Sequence, residues 1–391
     1  MSGEQRLIIV GTGAIARHHA ERFGAMPGCQ LVAAVDVSAE RARDFASAFQ
    51  IPVAFGSLAE AVAWGAFDAA INSTPDGAHK ATTLPLLAAA KPVFCEKPLA
   101  VTYPDAAEMA AAAEGAGLVN MVNLTYRNAA AIQLARSMVQ AGEIGEVRHV
   151  QASYLQSWLT GRHWGDWRTE ERWLWRLSSA HGSKGVLGDI GVHILDFVTF
   201  GTGLDIVALH AKMRTFDKAE GGVIDAYRLD VNDSVAITAE FSNGALGVVH
   251  MSRYATGKAN DLDLLIHGEK GALKIWADST GSSLEACLGA DIETQTWRPV
   301  ECPPTPRNET RFLIALLSGV NGDHILKQLI HTVRFDSQTN QLFAINEPQP
   351  SRLGMLTAKL FESVAGFIDF SLRDPYSGSQ DTRKQFLTGF F

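Results

Sequence analysis

Apolar, strand-like runs alternate with amphipathic, helix-like runs through the first 125 residues of this chain. "RLIIV" (6–10), "QLVAAVD" (30–36), "VAF" (53–55), "FDAAINST" (67–74), "PVFCEKP" (92–98) and "LVNMVNL" (118–124) read as strands. The stretches between them, such as "SAERARDFASAF" (38–49) and the run over 103–116, carry helical periodicity. Strands apolar on both faces, separated by helices, specify a parallel sheet covered on both sides. Such sheets bind ligands at the carboxyl ends of their strands. The turn after each strand is therefore where chemistry is to be sought.

The first such turn is "GTGAIA", Gly11 to Ala16. It follows a strand, opens a helix and precedes an acidic residue, Asp36, at the end of the second strand. That context makes it a dinucleotide fingerprint in a Rossmann domain. Gly11 allows the tight turn, Gly13 lets the backbone approach a pyrophosphate, and Ala16 permits close helix packing. Gly11, Gly13, Ala14 and Ile15 form the expected cradle, with the helix N-terminus facing the anion. Asp36 accepts from ribose hydroxyls and repels a 2′-phosphate, which favours NAD over NADP. Ser38 and Arg41 are read as capping and decorating the next helix.

The fourth strand ends in "NSTPDGAH" (72–79), where Ser73, Thr74 and Pro75 are expected to line the nicotinamide side, a role compatible with their also starting a helix. His79 is either a helix-face residue or a cofactor contact. The fifth ends in "CEKPLA" (95–100), which places Glu96 and Lys97 at the crevice, and Pro98 holds Lys97 extended and permits a cis bond.

Further on, "GDIGVHILD" (188–196) spaces Asp189, His193 and Asp196 four and then three residues apart. On an α-helix that spacing puts all three on one face. Polar groups on so apolar a helix are costly unless they are used.

Together "GTGAIA", "EKPLA" and "GDIGVHILD" resemble the signatures of the glucose–fructose oxidoreductase / inositol dehydrogenase / rhizopine-catabolism family, Gfo/Idh/MocA, over residues 5 to 275. The resemblance implies an α/β fold: an N-terminal Rossmann domain (1–125), then a C-terminal α/β domain (126–391) with a large, mainly antiparallel open sheet. It leaves 325–391 unassigned. It implies oxidation or reduction of sugars, inositols and related polyols with NAD(P). Lys97, Asp189 and His193 match the family's active-site residues. Glu96 matches its cofactor-side glutamate, and Asn123 an asparagine near the nicotinamide. Asp196 matches a third helix position that contacts substrate or supports the helix. "YLQSW" (154–158), "WLWR" (173–176) and "GVLGDIGVHILD" (185–196) look most like dehydrogenases of anhydrosugars and related pyranoses.

Alcohol oxidation needs a proton acceptor and a charge beside the developing alkoxide. His193 is the expected general base, Lys97 the electrostatic partner and proton relay, and Asp189 the substrate anchor. Tyr126, Arg127, Trp158, Trp175 and Arg176 are expected around the sugar, with aromatic faces and guanidinium donors. The stretch 158–175 holds five of the chain's eight tryptophans. It reads as pocket lining or, alternatively, as an oligomer contact or satellite core. His163 and His181 are further polar candidates.

From about Glu146 period-two alternation with Asn-Gly and Lys-Gly turns indicates antiparallel strands, "FSNGALG" (241–247) being the strongest hairpin. A homodimer or homotetramer through this sheet is expected. An apolar helical stretch is read at 355–372. The chain has 34 basic and 42 acidic residues, a net charge of −8, and no basic run, so neither nucleic acid nor an anionic membrane is an expected partner. No secretory leader or membrane span is read, the four cysteines show no paired spacing, and no metal site is expected. A reduced, cytoplasmic protein is the expectation. Two other readings remain open: an enzyme that retains its cofactor through turnover, as a transhydrogenating oxidoreductase or NAD-dependent glycosidase, and a non-catalytic sugar or dinucleotide sensor.

Overall fold

The computed structural model describes residues 4–318, 333–336 and 341–344. Strands β1 (Gln5–Val10), β2 (Cys29–Val35), β3 (Val53–Phe55), β4 (Ala69–Asn72), β5 (Val93–Cys95) and β6 (Asn120–Val122) form one parallel sheet in the order β3-β2-β1-β4-β5-β6. The chain reverses its winding between β1 and β4, where Val10 pairs with Asn72. A crevice opens there, at the carboxyl ends of the strands. Leu7, Ile8, Ile9 and Val10 are all buried, as a central strand covered on both faces requires.

Gly11 is where the sequence has no freedom. Its φ is +85°, and a Cβ would stand 2.8 Å from both the Ser73 carbonyl oxygen and the Thr74 nitrogen. Nothing lies within 4 Å of a Cβ built on Gly13, which leaves the open cradle that the fingerprint predicts.

The second sheet comprises β7 (Val147–Gln156), β8 (Ile206–Arg214), β11 (Ser234–Phe241), β12 (Leu246–Ser252), β13 (Asn260–Gly268), β14 (Gly271–Ala277), β15 (Ser282–Leu288), β16 (Arg298–Val300), β17 (Val333–Asp336) and β18 (Gln341–Ala344). A separate small hairpin joins β9 (Val223–Ile224) to β10 (Tyr227–Arg228). The sheet runs β16-β15-β14-β13-β7-β12-β11-β8-β18-β17. Only β7 and β12 pair in parallel among its named neighbours. The expected hairpin turns between β11 and β12 at Gly244, whose φ is +83°. The strands at 333–336 and 341–344 extend this sheet beyond β8, inside the stretch that the sequence left unassigned; the helix read at 355–372 lies outside the described residues.

Two helices, Ala130–Gln140 and Val192–Thr202, cover one face of this sheet. Ile132, Ala135, Ile194, Phe197 and Val198 pack there against Ile237, Val249, Leu264 and Ile275. The approach is close: a Cβ at Gly201 would stand 2.7 Å from Ile132 Cδ1 and 2.9 Å from Leu264 Cδ2. The helix Asn308–Ser318 then returns to the first sheet, where Phe312 packs 5.5 Å from Phe94. Among the described residues no helix is long and apolar enough to cross a membrane.

Candidate active site

The crevice begins with its cradle. The helix Ala14–Gly24 has no side-chain cap and no acidic residue in its first turn, so its leading amides face an open space above Gly13. Ile15 is 39% exposed at its rim, more than a buried helix face would allow. At the next strand end, one oxygen of Asp36 accepts from Thr12 N at 3.1 Å and Thr12 Oγ1 at 2.8 Å. The other accepts from Ser38 N at 2.9 Å and Arg41 Nη2 at 2.6 Å. Burial pushes the Asp36 carboxyl up, but the Ser38 amide, Arg41 and Thr12 together hold it at about 2. Ser38 also caps its helix, accepting from Arg41 N at 3.3 Å. An open helix N-terminus beside an ionised carboxylate fits a dinucleotide; Gly13, Ala14 and Ile15 would hold its phosphates and Asp36 its adenosine ribose.

The end of β4 is a knot of internal ties. Ser73 Oγ donates to the Gly11 carbonyl at 2.9 Å, and Thr74 Oγ1 to Asn72 Oδ1 at 2.7 Å. His79 is fully buried, with its ring nitrogens 2.7 Å from the Pro98 carbonyl oxygen and 2.8 Å from that of Thr74. It thus joins the turn after β4 to the turn after β5. Both ring nitrogens are committed, which corrects the expected cofactor contact to a tie within the wall. Of Ser73, Thr74 and Pro75 only Pro75 is exposed; Asp76 and Gly77 after it are exposed as well, and the Lys97 charge acts on Asp76.

Lys97 follows β5, and its bond to Pro98 is cis, as the sequence permitted. The side chain is half-buried, and no acceptor among the described residues takes its ammonium. Its charge acts on both Asp189 and His193. Those two arrive from the other domain on a helix that differs from expectation. Leu187–Gly191 is a π-turn that leads into the α-helix Val192–Thr202, so the local period is wider than 3.6. Asp189 and His193 still face Lys97. Asp196 does not reach the site; it takes a bidentate grip from Arg127, at 2.9 Å and 3.1 Å from Nε, and both are largely buried. Arg127 is thereby corrected from sugar ligand to helix support.

His193 is buried against Tyr126, edge-on at 5.1 Å, and its Nδ1 has no partner among the described residues. Burial and the Lys97 charge lower the imidazole to about 3, so it is uncharged throughout the working range. Asp189 lies opposite in charge. Burial pushes it up, but Arg253, Lys97 and Arg176 outweigh that and hold it at about 2. Arg253 is a residue that sequence reasoning missed. It is fully buried, donates from Nη2 to Asp189 Oδ2 at 2.9 Å and from Nη1 to the Arg176 carbonyl at 3.1 Å, and lies 5.0 Å over the Trp158 ring. Its place at the end of β12, in an unremarkable "MSRY", carries no local signal.

Behind His193 runs a polar chain in which Tyr126, expected around the sugar, takes part, while Tyr154, Gln156 and Asn260 were missed. Tyr126 and Tyr154 share a 2.6 Å hydroxyl contact, and Asn260 meets Tyr126 at 2.9 Å and Tyr154 at 2.9 Å. Gln156 donates to Asn260 at 2.8 Å and accepts from Trp158 Nε1 at 3.1 Å. Burial raises both tyrosines, which keeps them protonated as donors.

The tryptophan stretch divides. Trp158 and Trp167 are buried with Leu159, Leu174, Leu177 and Leu229 in a satellite core, Trp158 stacking on Trp173 at 5.3 Å. This is the satellite-core alternative, and it corrects Trp158 from sugar contact to a seat for Arg253. Trp175 is 40% exposed with the Arg176 guanidinium 4.5 Å over it, and the Arg176 charge acts on Asp189. His181 lies tilted against Tyr227 at 4.3 Å and His163 lies 5.0 Å from Trp164, both within this peripheral cluster.

With this geometry, comparison with known proteins is decisive. Residues 5–124 match the oxidoreductase family model for an NAD-binding Rossmann fold, and residues 132–274 match the GFO/IDH/MocA C-terminal domain. The chain belongs to the Gfo/Idh/MocA family. It is 31% identical over 268 residues to 1,5-anhydro-D-fructose reductase of Ensifer adhaerens, covering 68% of this chain and 74% of that one. It is 29% identical over 215 residues to levoglucosan dehydrogenase of Pseudarthrobacter phenanthrenivorans, covering 51% of this chain and about half, 53%, of the enzyme's length. An oxidoreductase domain protein from Kribbella flavida superposes with a TM-score of 0.72 at 26% identity, over 95% of this chain and 98% of that one. Levoglucosan dehydrogenase in complex with NADH and levoglucosan shares the fold, with a TM-score of 0.71 at 21% identity, over 94% and 97% of the two chains.

Proposed function

We propose that this family member oxidises a secondary alcohol of a sugar, anhydrosugar or cyclitol, passing the hydride to NAD. The observation that carries the reading is the convergence of three side chains from two domains: Lys97 after β5, with its ammonium unpartnered among the described residues, and Asp189 and His193 from the helix opposite. The relatives named for anhydrosugars and for levoglucosan support the substrate class.

When bound, the nicotinamide of NAD would supply the hydride acceptor. The chain's own residues do the rest. Asp189, ionised and anchored by Arg253, accepts a hydrogen bond from a sugar hydroxyl. Arg176 over Trp175 offers a guanidinium and an aromatic face to the ring. The Lys97 ammonium stabilises the alkoxide as the proton leaves. The imidazole of His193 takes that proton. Its value of about 3 makes it a weaker base than an ordinary histidine at 6.5, and the same lysine is part of the cause. The balance of the chemistry therefore shifts from His193 towards Lys97. NAD is favoured over NADP because Asp36 is ionised where a 2′-phosphate would sit.

A homo-oligomer through the uncovered face of the second sheet is part of this reading, supported by Leu246 and Val248 of β12 at 60% and 41% exposure. Light scattering on the purified protein tests it. The activity is tested by NADH formation with levoglucosan, other anhydrosugars, aldoses and inositols, with NADP in parallel. Turnover with NAD on a narrow set of these supports the reading; none, with every cofactor, overturns it.

A further inference from the structure

The helix Ala14–Gly24 meets the sheet through small residues, Ala16 and Ala20, as a dinucleotide cradle requires. It also buries His19 completely, an imidazole that neither the cradle nor the proton chemistry uses. Its Nε2 lies 2.7 Å from Glu96 Oε1, and its Nδ1 faces Glu309 Oε1 at 3.8 Å. Glu309 comes from the returning helix Asn308–Ser318. It is fully buried and accepts from Arg22 at 2.7 Å. Two buried carboxylates about one imidazole are costly to assemble, and nothing in the Rossmann fold itself demands them.

What the assembly holds is Glu96. The same Oε1 accepts from Asn123 Nδ2 at 2.7 Å, and Oε2 accepts from the main-chain N–H of Lys97 at 3.2 Å. Two fixed N–H donors and an imidazole nitrogen at 2.7 Å suit an ionised carboxylate, to which Nε2 donates. Asn123 is held at its other end as well, its Oδ1 accepting from Asn308 at 3.2 Å. Glu96 and Asn123 thus spend their polar atoms inside the protein, and the main chain they fix belongs to Lys97.

We propose that His19 is a positioning residue: backed by Glu309, it fixes Glu96, and through Glu96 the backbone from which Lys97 reaches the reacting oxygen. The proposal rests on the oxidoreductase reading above. It reassigns Glu96 and Asn123 from cofactor contact to support of the lysine. The charged and titratable groups facing Glu96 are His19 from the first helix with Glu309 and Arg22 behind it, Cys95 and Lys97 on either side, and His193 across the crevice. Burial pushes the Glu96 carboxyl up, and His19, Asn123 and the Lys97 amide bring it below the usual range. Removing His19 raises it.

The test uses full-length His19→Leu, His19→Gln and Glu309→Gln. NADH affinity is read by fluorescence. Turnover is read against pH with whichever polyol of the panel above, levoglucosan first, yields NADH with the wild type. The expected result for His19→Leu is NADH affinity within about twofold of wild type and kcat lower by about ten- to a hundredfold, the scale of a small misplacement. Its acid limb moves to higher pH. Gln carries an N–H donor near the Nε2 position and restores most of both. Glu309→Gln keeps the shape and is expected to lower kcat with NADH affinity retained. Unchanged kcat and acid limb in His19→Leu, or in Glu309→Gln should the Leu variant not fold, overturn the brace alone. So does a loss of NADH affinity equal to the loss of kcat, which would place Glu96 and Asn123 on the cofactor. A wild type that neither binds NADH nor turns over the panel removes the oxidoreductase reading, and the brace with it.

Discussion

Arg253→Met breaks the anchor of Asp189 while keeping apolar bulk beside Trp158. The wild-type Asp189 carboxyl sits at about 2 rather than its ordinary 3.8, and that difference corresponds to about 2.5 kcal/mol of folded-state stability. The Asp189 side chain is 31% exposed, and solvent screening brings the figure to about 2 kcal/mol. Because the folded value lies below the unfolded one, this stability is complete above about pH 4 and drains away as pH falls towards about 2. The measurement is urea unfolding of both proteins at pH 7 and pH 3. Lys97 and Arg176 share in holding Asp189 with Arg253, the largest of the three, so Arg253→Met is expected to lose on the order of 1–2 kcal/mol at pH 7 and about half of that at pH 3. Its turnover should fall together with its affinity for the polyol, while NADH binding holds. An equal loss of stability at both pH values would show that Arg253 acts by packing alone, and would refute the ion pair as the reason that Asp189 is ionised and in place.

His193→Ala is expected to lower kcat by about a hundredfold, the scale of losing a general base. With the imidazole at about 3, the wild-type kcat profile should show no inflection near 6.5 from this residue; one that disappears in His193→Gln would contradict the burial argument. Folding stability should rise with pH towards 6.5, because an unfolded His193 binds a proton that the folded one does not. Asp36→Ala frees Thr12 and Arg41 together and should weaken NAD while admitting NADP; an unchanged ratio of the two affinities, measured by fluorescence, would sink the role given to this carboxylate.

What was legible in the sequence was local. The β1 turn and Asp36 could be read because a fingerprint concentrates its chemistry within a few residues and one strand. Lys97 could be read because strand order dictates which turns face a crevice. Asp189 and His193 could be found by spacing, although the π-turn beneath them could not, since apolar periodicity over five residues does not separate 3.6 from a wider turn. The failures were long-range. Arg253 lies 64 residues from Asp189, and Glu309 lies 287 residues from Arg22. Asn260 reaches Tyr126 across 134 residues. None of these sits in a motif, and each gains its meaning only when elements distant in sequence fold together. The tryptophan stretch failed differently: an aromatic run has the same composition whether it faces a sugar or makes a small core, and burial alone separated Trp158 from Trp175.

The central claim is that an ammonium at Lys97 stabilises an alkoxide held by Asp189 and His193. It is tested most directly by Lys97→Met, with NADH affinity and NAD-dependent polyol oxidation measured on the same preparation. The account predicts NADH affinity close to wild type and turnover lower by about a thousandfold or more, as for removal of a main electrostatic stabiliser. Turnover within a few fold of wild type would contradict it.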